Sequence, residues 1–276
     1  MEDQKRRQVE YHERVHYSGA KPRIVDNSHP FVDWINNFRL HKALQLIGSP
    51  MSGKTVLSLC GGDGQEADFL QRQGARVTVV DLSTVALEAA RTRNPVLHCC
   101  CMDAESLSFP DCSFDWAFVR DGLHHLARPL KGLYELERVS RDGFVILEGQ
   151  DSLLVRMLSA CGIAEIQDPA GGYVYRFSRR ELHKIFCSMQ SVGSWRIHTA
   201  WLPFGGDIVR YVPAFTRFLY PVMNHRLIRK LLITRRVRKI FKAAFEIAEF
   251  ITGRWGNSLI VVARKKTMSG RAGRNV

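Results

Sequence analysis

Residues 55–81, TVLSLCGGDGQEADFLQRQGARVTVVD, constrain the fold of this chain more than any other stretch. They read as an apolar strand, a turn with Gly61, Gly62 and Gly64, a helix, and a second apolar strand that ends on Asp81. Two short strands joined through a helix indicate a parallel βαβ unit, because parallel pairing requires a long crossover. Ligands of such sheets bind outside the carboxyl ends of the strands. The glycine turn and Asp81 both lie at that edge, so a binding site is predicted there.

The residues of this turn distinguish between two classes of ligand. Gly62, Gly64 and Ala67 fit a dinucleotide-binding turn, in which a pyrophosphate rests on the helix N-terminus and the acid binds a ribose. The turn also carries three acids, Asp63, Glu66 and Asp68. Negative charge here disfavours a pyrophosphate and favours a cationic ligand. S-adenosylmethionine has a sulfonium, an ammonium and no phosphate, so we expect it in preference to NAD. The alternative is a glycine turn that only packs helix on strand.

The segments that follow continue an alternation of strands and helices. A third strand, VLHCCCMD, leads to Asp103, and a fourth covers residues 114–119. The loop after it contains Asp121, His124 and His125, and a helix and a fifth strand, FVILEGQ, come next. This alternation predicts an α/β fold with a doubly wound sheet.

Three segments, LSLCGGDG, SFPDCSFDWAF and DGLHHL, resemble recurring words of one large enzyme family. That family is the class I S-adenosylmethionine-dependent methyltransferases, in the group that includes the ubiquinone and menaquinone C-methyltransferases. The resemblance covers residues 50–206 and 257–265. It implies a seven-stranded Rossmann-like sheet with an antiparallel last strand, which NSLIVVARK at 257–265 would supply.

The resemblance also implies a set of cofactor-binding residues. The turn would lie under the methionine part of S-adenosylmethionine, Asp81 would hold the ribose hydroxyls, and Leu82 would lie beside the adenine. The adenine edge would meet the residues after the third strand, and the cleft would be lined by those after the fourth. The full set is Cys60, Gly61, Gly62, Asp63, Gly64, Asp81, Leu82, Asp103, Ala104, Arg120 and Asp121.

Two residues of the turn depart from the family pattern. The family has an acid where this chain has Ser58, and a glycine where it has Cys60. The acid would contact the methionine amine, and Asp63 is the candidate to replace it.

Methyl transfer is an in-line displacement that needs alignment of the nucleophile and exclusion of water. A general base is required only when the nucleophile must lose a proton, and His124 or His125 is then the candidate catalytic residue. The alternative is that one histidine packs on the sheet while the other orients the loop. We expect no metal site, because the seven cysteines lack paired spacing, and Cys99 to Cys101 are expected as small core residues in a buried strand.

Residues 48–55, GSPMSGKT, match the phosphate-loop pattern GxxxxGK[ST]. A nucleotide phosphate loop follows a strand and opens a helix. Here an apparent helix precedes the motif and a strand follows it, so we interpret the segment as a connector between helix and strand.

The chain is expected to divide into five regions. They are an N-terminal helical cap at 1–50, a Rossmann-like cofactor-binding core at 51–206, a basic helical insert at 207–256, the last core strand at 257–265 and a disordered tail at 266–276.

Charge and composition bear on the partners of the chain. The 276 residues carry a net charge of +13, and the insert is basic and rich in aromatic residues. The insert is either a helical lid with solvated charges or a surface for an anionic acceptor or anionic membrane. No apolar run reaches the length of a membrane span, and no signal peptide is apparent, so we expect a cytoplasmic protein, with peripheral membrane contact as an option.

The favoured activity is methyl transfer to a small-molecule, glycan or lipid-linked acceptor. Three rivals stay open. An NAD-dependent oxidoreductase is disfavoured by the acidic turn. A nucleic-acid methyltransferase is suggested by the positive charge, but amino-methylating enzymes of that kind commonly carry [DN]PP[YF] where this chain has RDGLHH. A binding module without turnover is the third.

Overall fold

The computed structural model describes residues 2–14, 37–162, 172–200 and 255–266, together with the single positions 167, 170, 239, 243 and 247. The described residues form one seven-stranded sheet. Its strands are β1 Thr55–Leu59, β2 Arg76–Asp81, β3 His98–Cys101, β4 Phe114–Arg120, β5 Ser140–Gly149, β6 Val192–Ala200 and β7 Ser258–Lys265. The described helices are α1 Glu2–His12, α2 Phe38–Ile47, α3 Gln65–Arg72, α4 Thr84–Arg93, α5 Pro129–Val139, α6 Leu153–Ala160 and α7 Arg179–Ser188.

The strand order is β3-β2-β1-β4-β5-β7-β6. Neighbours from β3 to β5 run parallel, and β7 is antiparallel to both β5 and β6. The order reverses between β1 and β4, which makes the carboxyl ends of these strands the topological switch point where open α/β sheets bind ligands. The predicted doubly wound sheet with an antiparallel last strand is confirmed.

Both faces of the sheet are covered, because apolar side chains occupy both sides of its strands. Leu57 of β1 lies in one buried cluster with Leu133 of α5 and Phe186 of α7. Its neighbour Val56 lies in a second cluster, which contains Leu40 of α2 and members of α3. Successive residues of a strand point to opposite faces, so this alternation produces a three-layer core. Helices cover the faces, and the carboxyl edge stays available for a ligand.

Local signals set the beginnings of several helices. The Ser83 hydroxyl accepts a hydrogen bond from the Ala86 amide and caps α4. Ser178 and Glu181 form a reciprocal capping box at the start of α7. Pro129 occupies the first turn of α5, where its missing amide hydrogen costs nothing.

The segment that matches a phosphate loop has the context expected of a connector. Helix α2 ends on Gly48, and β1 begins at Thr55. Lys54 contacts Asp142 at 2.9 Å, far from the carboxyl edge, since Asp142 lies near the start of β5. The motif therefore has no helix behind it, and the prediction from its context is confirmed.

The expectation for the cysteines of β3 needs correction. Strand β3 lies at an edge of the described sheet, and Cys101 is exposed while Cys99 and Cys100 are half-buried. The apolar pattern around these residues is that of a buried strand, but an edge strand leaves part of each side chain open. All seven cysteines are free thiols.

Part of the predicted organisation lies outside the described residues. Helices α1 and α2 fall within the N-terminal region at 1–50, but residues 15–36 are outside the description. The same holds for nearly all of the insert at 207–256 and for 267–276, so the boundaries of the insert and tail stay predictions. None of the helices in the described ranges is long and apolar enough to cross a bilayer.

Candidate functional site

A cavity of about 220 Å³ opens at the carboxyl edge, beside the switch point. It is lined by Lys5, Gln8, Val9, His12, Cys60, Gly62, Asp81, Leu82, Ser83, Ala86, Met102, Ala104, Asp121, Gly122, His125 and Leu126. Ligand pockets usually measure roughly 300–1,000 Å³. A ligand of cofactor size must therefore extend beyond this cavity or displace one of its walls.

The glycine turn and the end of β2 are joined through the carboxylate of Asp81. The Gly62 amide donates to Oδ2 at 2.9 Å, and the Ser83 amide donates to Oδ1 at 2.9 Å. Burial raises the pKa of Asp81, and these backbone donors act in the opposite direction. The two amides fix the orientation of the carboxylate at the cavity wall, which leaves its remaining lone pairs to accept from a ligand.

Close packing explains why the turn is rich in glycine. A Cβ on Gly64 would lie 2.9 Å from the Ala90 side chain of α4, and Gly64 has a φ of 75°. Cys60 has a φ of 53°, a left-handed conformation that favours glycine. The cysteine at this position therefore carries backbone strain in the wall of the cavity.

The loop after β4 is held by a buried arginine from α2. Arg39 is 9% exposed, and its Nη1 donates to Asp121 Oδ1 at 2.7 Å while Nη2 donates to Oδ2. Desolvation acts to raise the pKa of Asp121, but the Arg39 guanidinium outweighs it and lowers this pKa to about 2. Asp121 also has a φ of 51°. The ion pair stabilises this unusual conformation and presents Asp121 to the cavity.

Glu148, near the end of β5, anchors the other half of that loop. Its Oε1 accepts from the amides of Gly122 at 2.8 Å and Leu123 at 2.7 Å. Its Oε2 lies 2.6 Å from Nδ1 of His124, which makes Nδ1 the donor when Glu148 is ionised. Glu148 is buried, so these contacts satisfy a charge that water cannot reach.

Three histidine rings meet beside the cavity. The ring of His125 lies 4.0 Å from that of His124 and 4.5 Å from that of His12, measured between centroids. His125 and His12 line the cavity, whereas His124 faces Glu148. The two adjacent histidines of the sequence thus have different surroundings.

Helix α1 closes the cavity on the side of β3. Nζ of Lys5 donates to Asp103 Oδ2 at 2.5 Å and lies 3.1 Å from Glu105 Oε2. Desolvation acts to raise the pKa of Asp103, but Lys5 outweighs it and the net change is a decrease. Oε1 of Gln8 is buried and has no hydrogen-bond partner among the described residues. A polar atom of this kind in a cavity wall is a candidate ligand contact.

The cavity brings together some of the residues that the sequence predicted. Those that line it are Cys60, Gly62, Asp81, Leu82, Ala104, Asp121 and His125. The others, which lie outside its lining, are Gly61, Asp63, Gly64, Asp103, Arg120 and His124. Gly61 packs on β2, since its amide donates to the Val80 carbonyl oxygen at 3.0 Å. Asp63 is bound by Arg93 at 2.6 Å.

The sequence predicts an N-terminal helical cap but does not indicate that Arg39, Glu148 or residues of α1 form part of the site. Glu148 could have been found, because it occupies the carboxyl end of an apolar strand, as Asp81 does. Arg39 and Lys5 belong to helices with no motif, so only the tertiary structure places them there.

The arrangement fits S-adenosylmethionine as far as its donors and acceptors allow. Asp81 can accept from ribose hydroxyls, and Gly62 lines the cavity beside it. Oε1 of Gln8 and Oε2 of Glu66 are buried acceptors without partners among the described residues, and the cofactor carries amino and ammonium donors that could meet them.

Comparisons with known proteins agree with this fold. Residues 57–147 match the family described as methyltransferase domain. The chain is 36% identical over 98 residues to a demethylmenaquinone methyltransferase of Clavibacter sepedonicus, a match that covers 34% of this chain and 40% of that protein. It is 29% identical over 154 residues to a ubiquinone biosynthesis O-methyltransferase of Alkalilimnicola ehrlichii, covering 51% and 60%. The chain thus spans 40% and 60% of the length of these two relatives.

A solved structure shows the same fold at low sequence identity. It is the phospholethanolamine N-methyltransferase 2 of Haemonchus contortus in complex with phosphomonomethylethanolamine and S-adenosylhomocysteine. The alignment has a TM-score of 0.55 and 17% identity, and it covers 94% of this chain and 60% of that one.

Proposed function

We propose, from the premise that residues 57–147 form a class I S-adenosylmethionine-dependent methyltransferase domain, that this chain transfers a methyl group to a small-molecule, glycan or lipid-linked acceptor. The observation that carries the proposal is the fixed carboxylate of Asp81 beside the glycine turn, at the switch point of the sheet. The names of the two relatives, which concern menaquinone and ubiquinone, support an acceptor of quinone or lipid-like type.

When bound, the cofactor supplies an activated methyl group, so the chain needs only to bind, orient and exclude water. Asp81 orients the ribose, and helix α1 shields the cavity from solvent. Glu148 holds the Gly122–His124 segment in place, which positions His125 at the cavity wall. If the acceptor is a hydroxyl, His125 is the group that takes its proton at a ring nitrogen.

Of the three acids of the turn, Glu66 disfavours an NAD-linked oxidoreductase most. Asp63 is neutralised by Arg93, and Asp68 lies 3.2 Å from Nε of Arg72. Glu66 is buried beneath the turn and has no such salt bridge among the described residues. A pyrophosphate near this carboxylate would meet its negative charge in a poorly hydrated place.

The experiment that tests the proposed function has two arms. In the first, the purified chain is titrated calorimetrically with S-adenosylmethionine, S-adenosylhomocysteine and NAD, and we expect saturable binding of the first two only. In the second, radiolabelled S-adenosylmethionine is incubated with cell extract separated into lipid, polysaccharide and small-molecule pools. Label in one pool identifies the acceptor class. Binding of NAD in place of the two sulfur compounds would contradict the proposal, and binding without label in any pool would favour a module without turnover.

A further inference from the structure

A buried carboxylate lies beneath the glycine turn. Glu66, in the first turn of α3, is 4% exposed. The Ser58 hydroxyl of β1 donates to its Oε1 at 2.9 Å. Its Oε2 is buried and has no hydrogen-bond partner among the described residues. Burial of a carboxylate is costly unless its charge is paired, so this oxygen indicates a missing cation or donor.

The neighbours of Glu66 show where it lies relative to the glycine turn. Desolvation raises the pKa of Glu66 to about 7, the Ser58 hydrogen bond and the charges of Arg120 and Arg39 lower it, and Asp121 raises it further. Ser58, which donates to Glu66, pairs with Phe118 of β4, and its hydroxyl would lie 2.8 Å from a Cβ on Gly61. Glu66 therefore lies under the glycine turn, on the side of β4. Arg39 already binds both oxygens of Asp121. Glu66 does not line the cavity, so a ligand must extend beyond the cavity to meet this carboxylate.

The other acids of the turn have partners. Asp63 accepts from Nη2 of Arg93 at 2.6 Å, and Arg93 also donates to the Asp63 carbonyl oxygen at 2.9 Å. Asp68 accepts from the side-chain amide Nδ2 of Asn94 at 2.8 Å. Asp63 was the expected substitute for the acid that Ser58 replaces, but its carboxylate is occupied. Of the three acids, Glu66 is the one with an unpaired buried oxygen among the described residues.

We propose that Glu66, held by the Ser58 hydroxyl, binds the ammonium group of the amino-acid part of the methyl donor. The inference rests on the proposed function. An ammonium group is a donor of three hydrogen bonds and carries the charge that the buried carboxylate lacks. Ser58 and Glu66 together then take the place of the single acid that the family has at the end of β1. Glu66 of α3 supplies the charge, and Ser58 of β1 orients it.

A purely structural role makes a different prediction. If Glu66 only ties α3 to β1 through Ser58, one side-chain oxygen is sufficient, and glutamine can supply it. Glu66→Gln would then leave ligand binding unchanged or disturb all ligands of the turn alike. Two ligands that share a nucleoside but differ in the amino-acid part can separate these cases.

The experiment titrates the full chain with S-adenosylhomocysteine and with 5′-methylthioadenosine, which keeps the nucleoside and lacks the amino-acid part. We expect Glu66→Gln to weaken S-adenosylhomocysteine binding by about tenfold to a hundredfold, the effect of a lost charged hydrogen bond, with 5′-methylthioadenosine unaffected. Asp68→Asn, on the same helix, is the matched control and should change neither affinity.

Each other result has a definite meaning. Equal weakening of both ligands, or no change in either, would overturn the role of Glu66. If Glu66→Gln does not fold, Ser58→Ala provides the same comparison, because it removes only the hydroxyl that orients Glu66. If the wild-type protein binds neither ligand, the proposed function is overturned, and the role of Glu66 with it. If the wild type binds normally and the variant has the same affinities, only the role of Glu66 is overturned.

Discussion

The guanidinium of Arg39 binds both carboxylate oxygens of Asp121, although 82 positions separate the two residues in the chain. Arg39 comes from α2, before the first strand, and Asp121 follows β4 at the switch point. Paired contacts of this kind are more directional than a simple ion pair. The interaction therefore couples the N-terminal region to the loop that lines the cavity.

Replacing Arg39 with glutamine should destabilise the protein at neutral pH by about 1–3 kcal/mol, because Asp121 loses its charged donors. The low pKa of Asp121, about 2, contributes to the acid response of the wild type, together with other carboxyls of lowered pKa such as Asp103 and Asp115. A lowered carboxyl pKa gives stability that is present above the usual value of 3.8 and is lost as pH falls through about 2. Urea unfolding between about pH 5 and pH 2 should show this loss in the wild type and a smaller one in Arg39→Gln. Arg156→Gln, which breaks an exposed pair with Asp151, is the control and should resemble the wild type.

Asp81→Ala should weaken S-adenosylhomocysteine binding by about 1–3 kcal/mol, since a charged acceptor of the ribose hydroxyls is lost. Calorimetry on the folded variant measures this directly. Asp142→Ala, at the opposite end of the sheet, is the control and should bind S-adenosylhomocysteine with the affinity of the wild type. Unchanged affinity in Asp81→Ala would remove Asp81 from the cofactor site.

The two histidines of the loop should respond differently to substitution. If the acceptor is a hydroxyl, His125→Gln should reduce kcat by about 100-fold or more with little change in cofactor affinity, because proton transfer is lost. His124→Gln should have a smaller effect, since His124 acts through Glu148 and the loop. Steady-state rates with saturating cofactor give both values. Full activity in both variants would exclude the histidines from the mechanism.

Glu66 should make the stability of the free protein depend on pH between its two pKa values. Burial raises its pKa from 4.5 to about 7, so the folded state holds a proton that the unfolded state releases. A raised carboxyl pKa means that stability falls as pH increases from about 4.5 to about 7 and is constant above that. The difference corresponds to on the order of 3 kcal/mol. Urea unfolding at several pH values should show this slope in the wild type and a flatter one in Glu66→Gln. Glu135→Gln is the control and should keep the slope, because Glu135 of α5 is paired with Arg138 and its pKa is lowered.

The basic insert, most of which lies outside the described residues, should promote contact with anionic membranes. We expect the protein to sediment with anionic but not zwitterionic vesicles at low salt, because each cation near such a surface contributes about 1 kcal/mol. Reversal of Arg235, Arg236 and Lys239 to Glu should abolish this and preserve cofactor binding. The matched control is the same charge reversal of Arg179, Arg180 and Lys184 on α7, which should leave the sedimentation unchanged. Absence of sedimentation at low salt would favour the alternative, in which the insert is a lid and the acceptor is soluble.

The strands and their order could be predicted because short apolar runs, bounded by glycine, proline and acids, repeat along residues 55–150. Asp81 and Asp121 could be assigned to one edge for the same reason, since parallel strands end together. The docking of α1 through Lys5 and of α2 through Arg39 could not be predicted, because these contacts join distant segments that carry no motif. The side-chain contacts of Asp63 and Glu66 could not be predicted either, because spacing shows which residues share a turn but not which of them forms an ion pair.

The position of β7 has a consequence for how the molecule is made. Residues 258–265 pair with β5 and β6 and lie between them, although most of the chain precedes them. During synthesis the edge of β5, with its buried residues Phe144–Leu147, therefore has no neighbour until the insert has left the ribosome. Such an exposed apolar edge is a site for pairing with other chains. Nascent molecules that stall within the insert should thus be targets for chaperones, and completion of the sheet is a late, long-range step that slows folding.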